Sequence, residues 1–280
     1  MAYKIDIEQI EHPLLRPLLD ELIPVFADLE IHFFVVGATA RDILSEIYEL
    51  ESGRRTQDID IAIAIEKWER FNQIEKHLLE LNDFSKDSHQ KQRFIYKEQF
   101  QVDLIPYGAV AEKRDKIFWP PDQNIAMSVL GYDAIAENLI TVDFGNGLEI
   151  KVASLVGIFL LKLMAWRDRH TQGNKDAEDI GFILQNYISI NTERAVMDHY
   201  DAIYQMEDYS IVKASASLLG IDLCSLLEER QEAITEVKQL IEVEINKEME
   251  SPLFNQIIET NAISFEEVKK GFELLHKHLD

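Results

Sequence analysis

Apolar residues recur along the first half of the chain with the two spacings that separate helices from strands. Between Leu14 and Leu29 they return every third or fourth position, which predicts an amphipathic helix. Ile31 to Val36 is a short β-branched and aromatic run and reads as a buried strand. Helical spacing resumes from Ala40 to Leu50, and then Asp58 to Ile65 alternates strictly. A strand there places Ile59, Ile61, Ile63 and Ile65 on one face and both Asp58 and Asp60 on the other. A helix over Lys67 to Leu81 leads to strands at Arg93 to Lys97 and Phe100 to Pro106. In the second of these, Phe100, Val102 and Leu104 share a face and Asp103 points the opposite way. From 107 to 137 the pattern weakens, broken by Trp119-Pro120-Pro121-Asp122, and predicts no element. Leu139 to Phe144 and Leu148 to Val152 flank Gly145-Asn146-Gly147, a turn sequence that closes a hairpin. The remainder reads as helices, including Ala153 to Arg169, Lys175 to Tyr187, Leu223 to Lys247 and Ser264 to His278. An α+β or α/β domain over 1–152 followed by an all-helical domain over 153–280 is the expected organisation.

Length and charge narrow the function. A chain of 280 residues suits about two domains, and 46% hydrophobic residues can fill their cores. The balance of 28 basic against 51 acidic side chains leaves a net charge of -23. That excludes a protein held on nucleic acid or an anionic membrane by bulk charge, so any polyanion needs a local basic patch. Cys224 is the single cysteine and has no partner for an intrachain disulfide. Met1 to Gln9 carries Asp6 and Glu8 where a signal peptide has an apolar core. The most apolar stretch, Val152 to Trp166, is interrupted by Lys162 and falls short of the roughly 18 residues of a membrane span. A cytoplasmic protein with no membrane partner is the expectation.

Candidate chemistry concentrates at a few positions. Asp58 and Asp60 lie side by side, and an oxygen-rich pair of that kind suits Mg²⁺ or Mn²⁺, although a lone Asp-x-Asp also fits a solvated strand face. If the Asp103 strand neighbours theirs, three carboxylates converge and suit two cations about 3.5 to 4 Å apart. Asp103 equally fits a strand end approaching the Pro106 turn. Gly37-Ala38-Thr39-Ala40-Arg41-Asp42 reads as a tight turn opening a helix, whose N–H groups and dipole favour a phosphate. Arg41 and Asp42 also fit a surface pair. Lys162 shares a helical side with Ile158, Phe159, Ala165 and Trp166, so its ammonium is enclosed and needs an anion, unless it snorkels to water. Arg169 falls on that side too. Asp176 and Asp179 open the next helix, where acids are favourable with the dipole alone.

Taken together, the turn at 37–42, Arg54-Arg55-Thr56-Gln57-Asp58-Ile59-Asp60-Ile61-Ala62-Ile63, and Gln101-Val102-Asp103-Leu104-Ile105-Pro106-Tyr107-Gly108 resemble the nucleotidyltransferase superfamily. That superfamily shares its catalytic palm with DNA polymerase β and the tRNA CCA-adding enzymes. The lysine-bearing helix followed by Lys175-Asp176-Ala177-Glu178-Asp179-Ile180 resembles its abortive-infection branch, the AbiEii/AbiGii-like toxins of type IV toxin–antitoxin pairs. The resemblance spans about residues 31 to 187. It implies an α+β palm, a small mixed sheet flanked by helices, in which Asp58, Asp60 and Asp103 bind Mg²⁺ (or Mn²⁺) and act as catalytic carboxylates. It implies further that Gly37, Ala38, Thr39 and Arg41 receive the triphosphate of an NTP, that Lys162 contacts phosphate, and that Asp176, or Asp179, supports the site. The superfamily turn usually has Gly or Ser after its first glycine. Ala38 stands there in this chain, and Thr39 is the candidate substitute hydroxyl.

The resulting expectation is a metal-dependent transfer of a nucleoside monophosphate from an NTP to an acceptor hydroxyl with release of pyrophosphate. Acceptors in scope are an RNA end such as that of tRNA, a protein, or a small molecule such as an aminoglycoside antibiotic, and an antitoxin is a possible partner. The alternatives are an inactive nucleotide-binding or protein-interaction module on the same palm and a housekeeping RNA-terminal polymerase.

Overall fold

The structure, a computed structural model, describes residues 2–10, 12–51, 56, 58–112, 115–121, 123 and 126–279. Arg54, Arg55 and Gln57 of the strand motif, Asp122 of the proline break and Met1 lie outside these residues. The chain divides into two compact units, Met1–Ser154 and Leu155–Asp280. No helix of the described residues is long and apolar enough to cross a membrane.

The first unit runs β1 (Tyr3–Lys4), α1 (Leu15–Asp28), β2 (Phe33–Val36), α2 (Gly37–Ile47), β3 (Asp58–Ala64), α3 (Trp68–Glu80), β4 (Phe84–Lys86), β5 (Arg93–Tyr96) and β6 (Phe100–Tyr107). It continues with β7 (Lys116–Phe118), β8 (Ala126–Ser128), α4 (Tyr132–Glu137), β9 (Leu139–Asp143) and β10 (Glu149–Ala153). Among the described residues eight strands form one mixed sheet in the order β1-β9-β10-β2-β3-β6-β5-β4, and β7 pairs with β8 apart from it. The Gly145-Asn146-Gly147 hairpin is present as the antiparallel pair β9–β10. The stretch that predicted no element holds β7, β8 and α4, too short for any periodicity to show.

Each face of the sheet follows from the alternation. Ile59, Ile61 and Ile63 are fully buried, and α1 covers that side: Phe26 meets Phe33 at 4.8 Å between ring centroids, and the Tyr96 hydroxyl donates to Glu21 Oε1 at 2.7 Å. The carboxylates of β3 face the other way. There β3 pairs antiparallel with β2 and parallel with β6, and β6 pairs antiparallel with β5. The registers line up Val36, Asp60, Asp103 and Arg93 in one row across four strands, and directly opposed residues share a face.

The second unit is helical: α5 (Leu155–Arg169), α6 (Lys175–Ile190), α7 (Thr192–Asp198), α8 (Tyr200–Tyr204), α9 (Ile211–Leu226), α10 (Gln231–Asn246), α11 (Pro252–Thr260) and α12 (Phe265–Lys277). The single helix expected over Leu223 to Lys247 is two, broken between Leu226 and Gln231. Glu228 and Glu229 fall just past the end of α9, where the helix dipole disfavours acids. α9 itself is buried nearly all round, so it lacks the amphipathic stripe that marks a helix in sequence. Its close crossing with α12 depends on Gly220, where a Cβ would come 2.9 Å from the Leu275 backbone.

Candidate active site

Asp58 and Asp60 emerge half-buried from β3, held from two directions. The Thr56 hydroxyl donates to Asp58 Oδ1, and the Thr39 hydroxyl donates to the Asp58 backbone carbonyl at 2.9 Å. The second bond ties the first turn of α2 to the start of β3. Gly37, at φ +68°, stands between β2 and α2, and a Cβ on it would lie 2.2 Å from Asp60 Oδ2. Only glycine lets that carboxylate approach the start of α2, where the dipole favours negative charge.

The rest of this turn differs from expectation. Ala38, Thr39 and Arg41 are 6%, 1% and 1% exposed, because α2 packs its first turns against β2 and β3. The Thr39 hydroxyl proton goes to the Asp58 carbonyl, so the proposed substitute hydroxyl is engaged within the protein. Arg41 is no surface residue: its Nε and Nη2 donate to Asp42 Oδ1 at 2.9 and 2.6 Å inside the fold. Of the four residues expected to receive phosphate, Gly37 is the one placed against a candidate carboxylate.

Asp103 has a partner of its own. Arg93 Nε and Nη2 each donate to one of its oxygens at 2.8 Å, a bidentate fork with the side chains 24% and 10% exposed. This hydrogen bonding, opposed by burial and reinforced by the charges of Asp103, Asp58 and Asp60, holds the Arg93 pKa above its ordinary value. In the structure Asp58 and Asp60 therefore stand on β3 beside an Asp103 whose two oxygens both accept from Arg93. Among the described residues no group of three Asp, Glu, His or Cys has the geometry to hold an ion. Two hard-oxygen donors still fit Mg²⁺, which is commonly held by one or two carboxylates with substrate phosphates and water completing the shell. Arg93 escaped the sequence reading because its role depends on pairing across strands. The available signal was the alternation of Arg93-Phe94-Ile95-Tyr96, which sets Arg93 on the Asp103 face of a hairpin.

In the second unit Lys162 is buried, which excludes snorkelling. Its ammonium lies 2.6 Å from Asp179 Oδ2 and 3.3 Å from Asp176 Oδ1. Arg169 clasps Asp176 with bonds of 2.8 and 2.9 Å. The anion that Lys162 needs is thus supplied by both acids of α6. Burial pushes the Asp176 carboxyl up, but the Arg169 hydrogen bonds and the charges of Lys162 and Arg169 outweigh it and hold the group below the ordinary carboxylate range.

Two expected results follow for stability. Lys162→Met should cost about 3 to 5 kcal/mol, since it removes the ammonium paired with the fully buried Asp179; urea midpoints measure this, and a loss under about 1 kcal/mol contradicts the pairing. The depressed Asp176 pKa stabilises the fold fully above an unfolded value of about 3.9, and that contribution disappears as pH falls through the lower folded value. The stability gap between wild type and Asp176→Asn should therefore be constant above about pH 5 and shrink below about pH 4. A gap independent of acidity contradicts it.

Comparison with known proteins adds three findings. A family described as "Nucleotidyl transferase AbiEii toxin, Type IV TA system" matches residues 20–267. No curated protein matches the chain. Among solved structures, the solution structure of the antibiotic-resistance factor ANT(2'')-Ia aligns at 12% identity and a TM-score of 0.33, covering 70% of this chain and 98% of that one.

Proposed function

The chain belongs to the AbiEii family of nucleotidyltransferase toxins, and we propose that it moves a nucleoside monophosphate from an NTP to an acceptor hydroxyl in a divalent-cation-dependent reaction centred on Asp58 and Asp60. The observation that carries this reading is the pair of β3 carboxylates, one of them against the glycine that opens α2. Bound there, Mg²⁺ supplies Lewis acidity to the phosphate and acidifies the attacking hydroxyl. The chain's own part is positioning. Asp58 and Asp60 hold the cation, Thr56 orients the first carboxylate, and Gly37 leaves room for the Asp60 carboxylate at the start of α2. Asp103 fixes Arg93 beside them.

Lys162, Asp176 and Asp179 form an ion-paired cluster within the helical unit. A partner antitoxin and an acceptor among RNA ends or protein hydroxyls belong to the same proposal, drawn from the type IV toxin–antitoxin family. The test is incubation of the protein with each labelled NTP, Mg²⁺ and fractionated lysate. Label in RNA or protein supports the reading. Label on a small molecule moves it to the antibiotic-type transferases, and NTP binding without any transfer replaces it with an inactive nucleotide-binding module.

A further inference from the structure

We propose that the exposed face running from α7 to the start of α9 docks a protein segment that presents arginine or lysine beside apolar side chains. Five of the nine large hydrophobic side chains exposed among the described residues fall within it: Val196, Met197, Tyr200, Tyr209 and Ile211. Met197 is 76% exposed. α7 and α8 are nearly continuous, because the His199 N–H donates to the Ala195 carbonyl and the Ile203 N–H to that of His199. Val196, Tyr200 and Tyr204 therefore follow one another at helical spacing with Met197 beside them, while Ala195 and Ile203 turn into the core. The rings carry the face onward: Tyr200 and Tyr204 lie 5.4 Å apart between centroids, and Tyr204 stacks on Tyr209 at 5.8 Å. Apolar residues exposed singly need no explanation, but a contiguous group of this kind marks an interaction surface.

Charge selects the occupant. Glu193, Asp198, Asp201, Glu207 and Asp208 are exposed within or next to this stretch. Its lysine and arginine are engaged: Arg194 clasps Asp222, and the Lys213 ammonium donates to the Asp208 backbone carbonyl. A tyrosine face attracts a lysine or arginine head group, and carboxylates nearby add direct pairing. The apolar side chains call for apolar anchors as well, a combination that a protein segment supplies. Nucleic acid brings the wrong charge. So does a second copy of a chain with a net charge of -23, since a two-fold contact would set these acids against themselves.

The experiment is calorimetric titration of the full-length protein with a synthetic amphipathic peptide of leucine and arginine, at about 0.15 M salt so that distant charges are screened. Wild type should bind it, and should not bind a peptide with glutamate at the arginine positions. Tyr200→Ala and Asp198→Asn/Asp201→Asn should each weaken binding by about tenfold or more. Glu229→Gln/Glu232→Gln removes the same charge elsewhere on the helical unit and should stay within about threefold of wild type. All these side chains are exposed, so the variants should melt with wild type. A loss in the Glu229 and Glu232 variant equal to that in the Asp198 and Asp201 variant reduces the effect to bulk charge and overturns the inference. Binding of the glutamate peptide, or no binding of the arginine peptide, overturns it too. Spermidine bound as tightly and with the same dependence on Tyr200 overturns it in favour of a small polycation. A dimer of the free protein that Met197→Asp dissolves overturns it in favour of a second copy.

Discussion

Asp60→Asn is expected to lower nucleotidyl transfer on the order of a thousandfold while the protein melts at the wild-type temperature or above it. The substitution keeps the shape of the side chain and removes one of the two charges available to a cation. Asp60 shares a row with Asp103 and a strand face with Asp58, so its charge is in like-charged company. Neutralising it relieves repulsion from Asp58 and Asp103 while giving up the attraction of Arg93 and of the α2 dipole, so stability changes little. Loss of activity with retained stability is the signature of a group placed for chemistry at the expense of the fold. Steady-state transfer from a labelled NTP, alongside a thermal melt, measures both halves. Activity within tenfold of wild type would remove Asp60 from the site, and a lower melting temperature would recast it as a structural residue.

The second large effect is expected at Gly37. Alanine there meets two penalties: a φ of +68°, which costs an L-residue about 1 to 2 kcal/mol, and a Cβ only 2.2 Å from Asp60 Oδ2. The carboxylate has to move, and a shift of about 1 Å in a positioned group costs about a hundredfold in rate. Gly145 separates the two penalties, since it has a φ of +74° and nothing within 4 Å of its added Cβ. Gly37→Ala should therefore lose about a hundredfold in transfer along with some stability. Gly145→Ala should lose a similar amount of stability with transfer unchanged. Equal activity in the two variants would show that the approach of Asp60 to Gly37 has no part in the reaction.

The features legible in the sequence are those that local spacing encodes. The isoleucine alternation of β3 announced both its buried face and the direction of Asp58 and Asp60, and glycine and asparagine announced the β9–β10 hairpin. The enclosure of Lys162 was readable from its apolar neighbours on α5, as was its need for an anion. Features that depend on pairing between distant segments were not readable. The Arg93–Asp103 fork needs the β5–β6 register, and the inward turn of Thr39 and Arg41 needs the packing of α2 on the sheet. β7 and β8 are too short to show a period, and α9 is too uniformly buried to show a stripe.

Nucleotidyl transfer at Asp58 and Asp60 is tested most directly by following two labels of the same NTP in parallel, one on the α-phosphate and one on the γ-phosphate, with a lysate as acceptor source and Mg²⁺ present. The α label should join the acceptor while the γ label leaves as pyrophosphate, and both events should cease with EDTA and in Asp58→Asn. Transfer of the γ label to the acceptor, or transfer of the α label undiminished in Asp58→Asn, would contradict it.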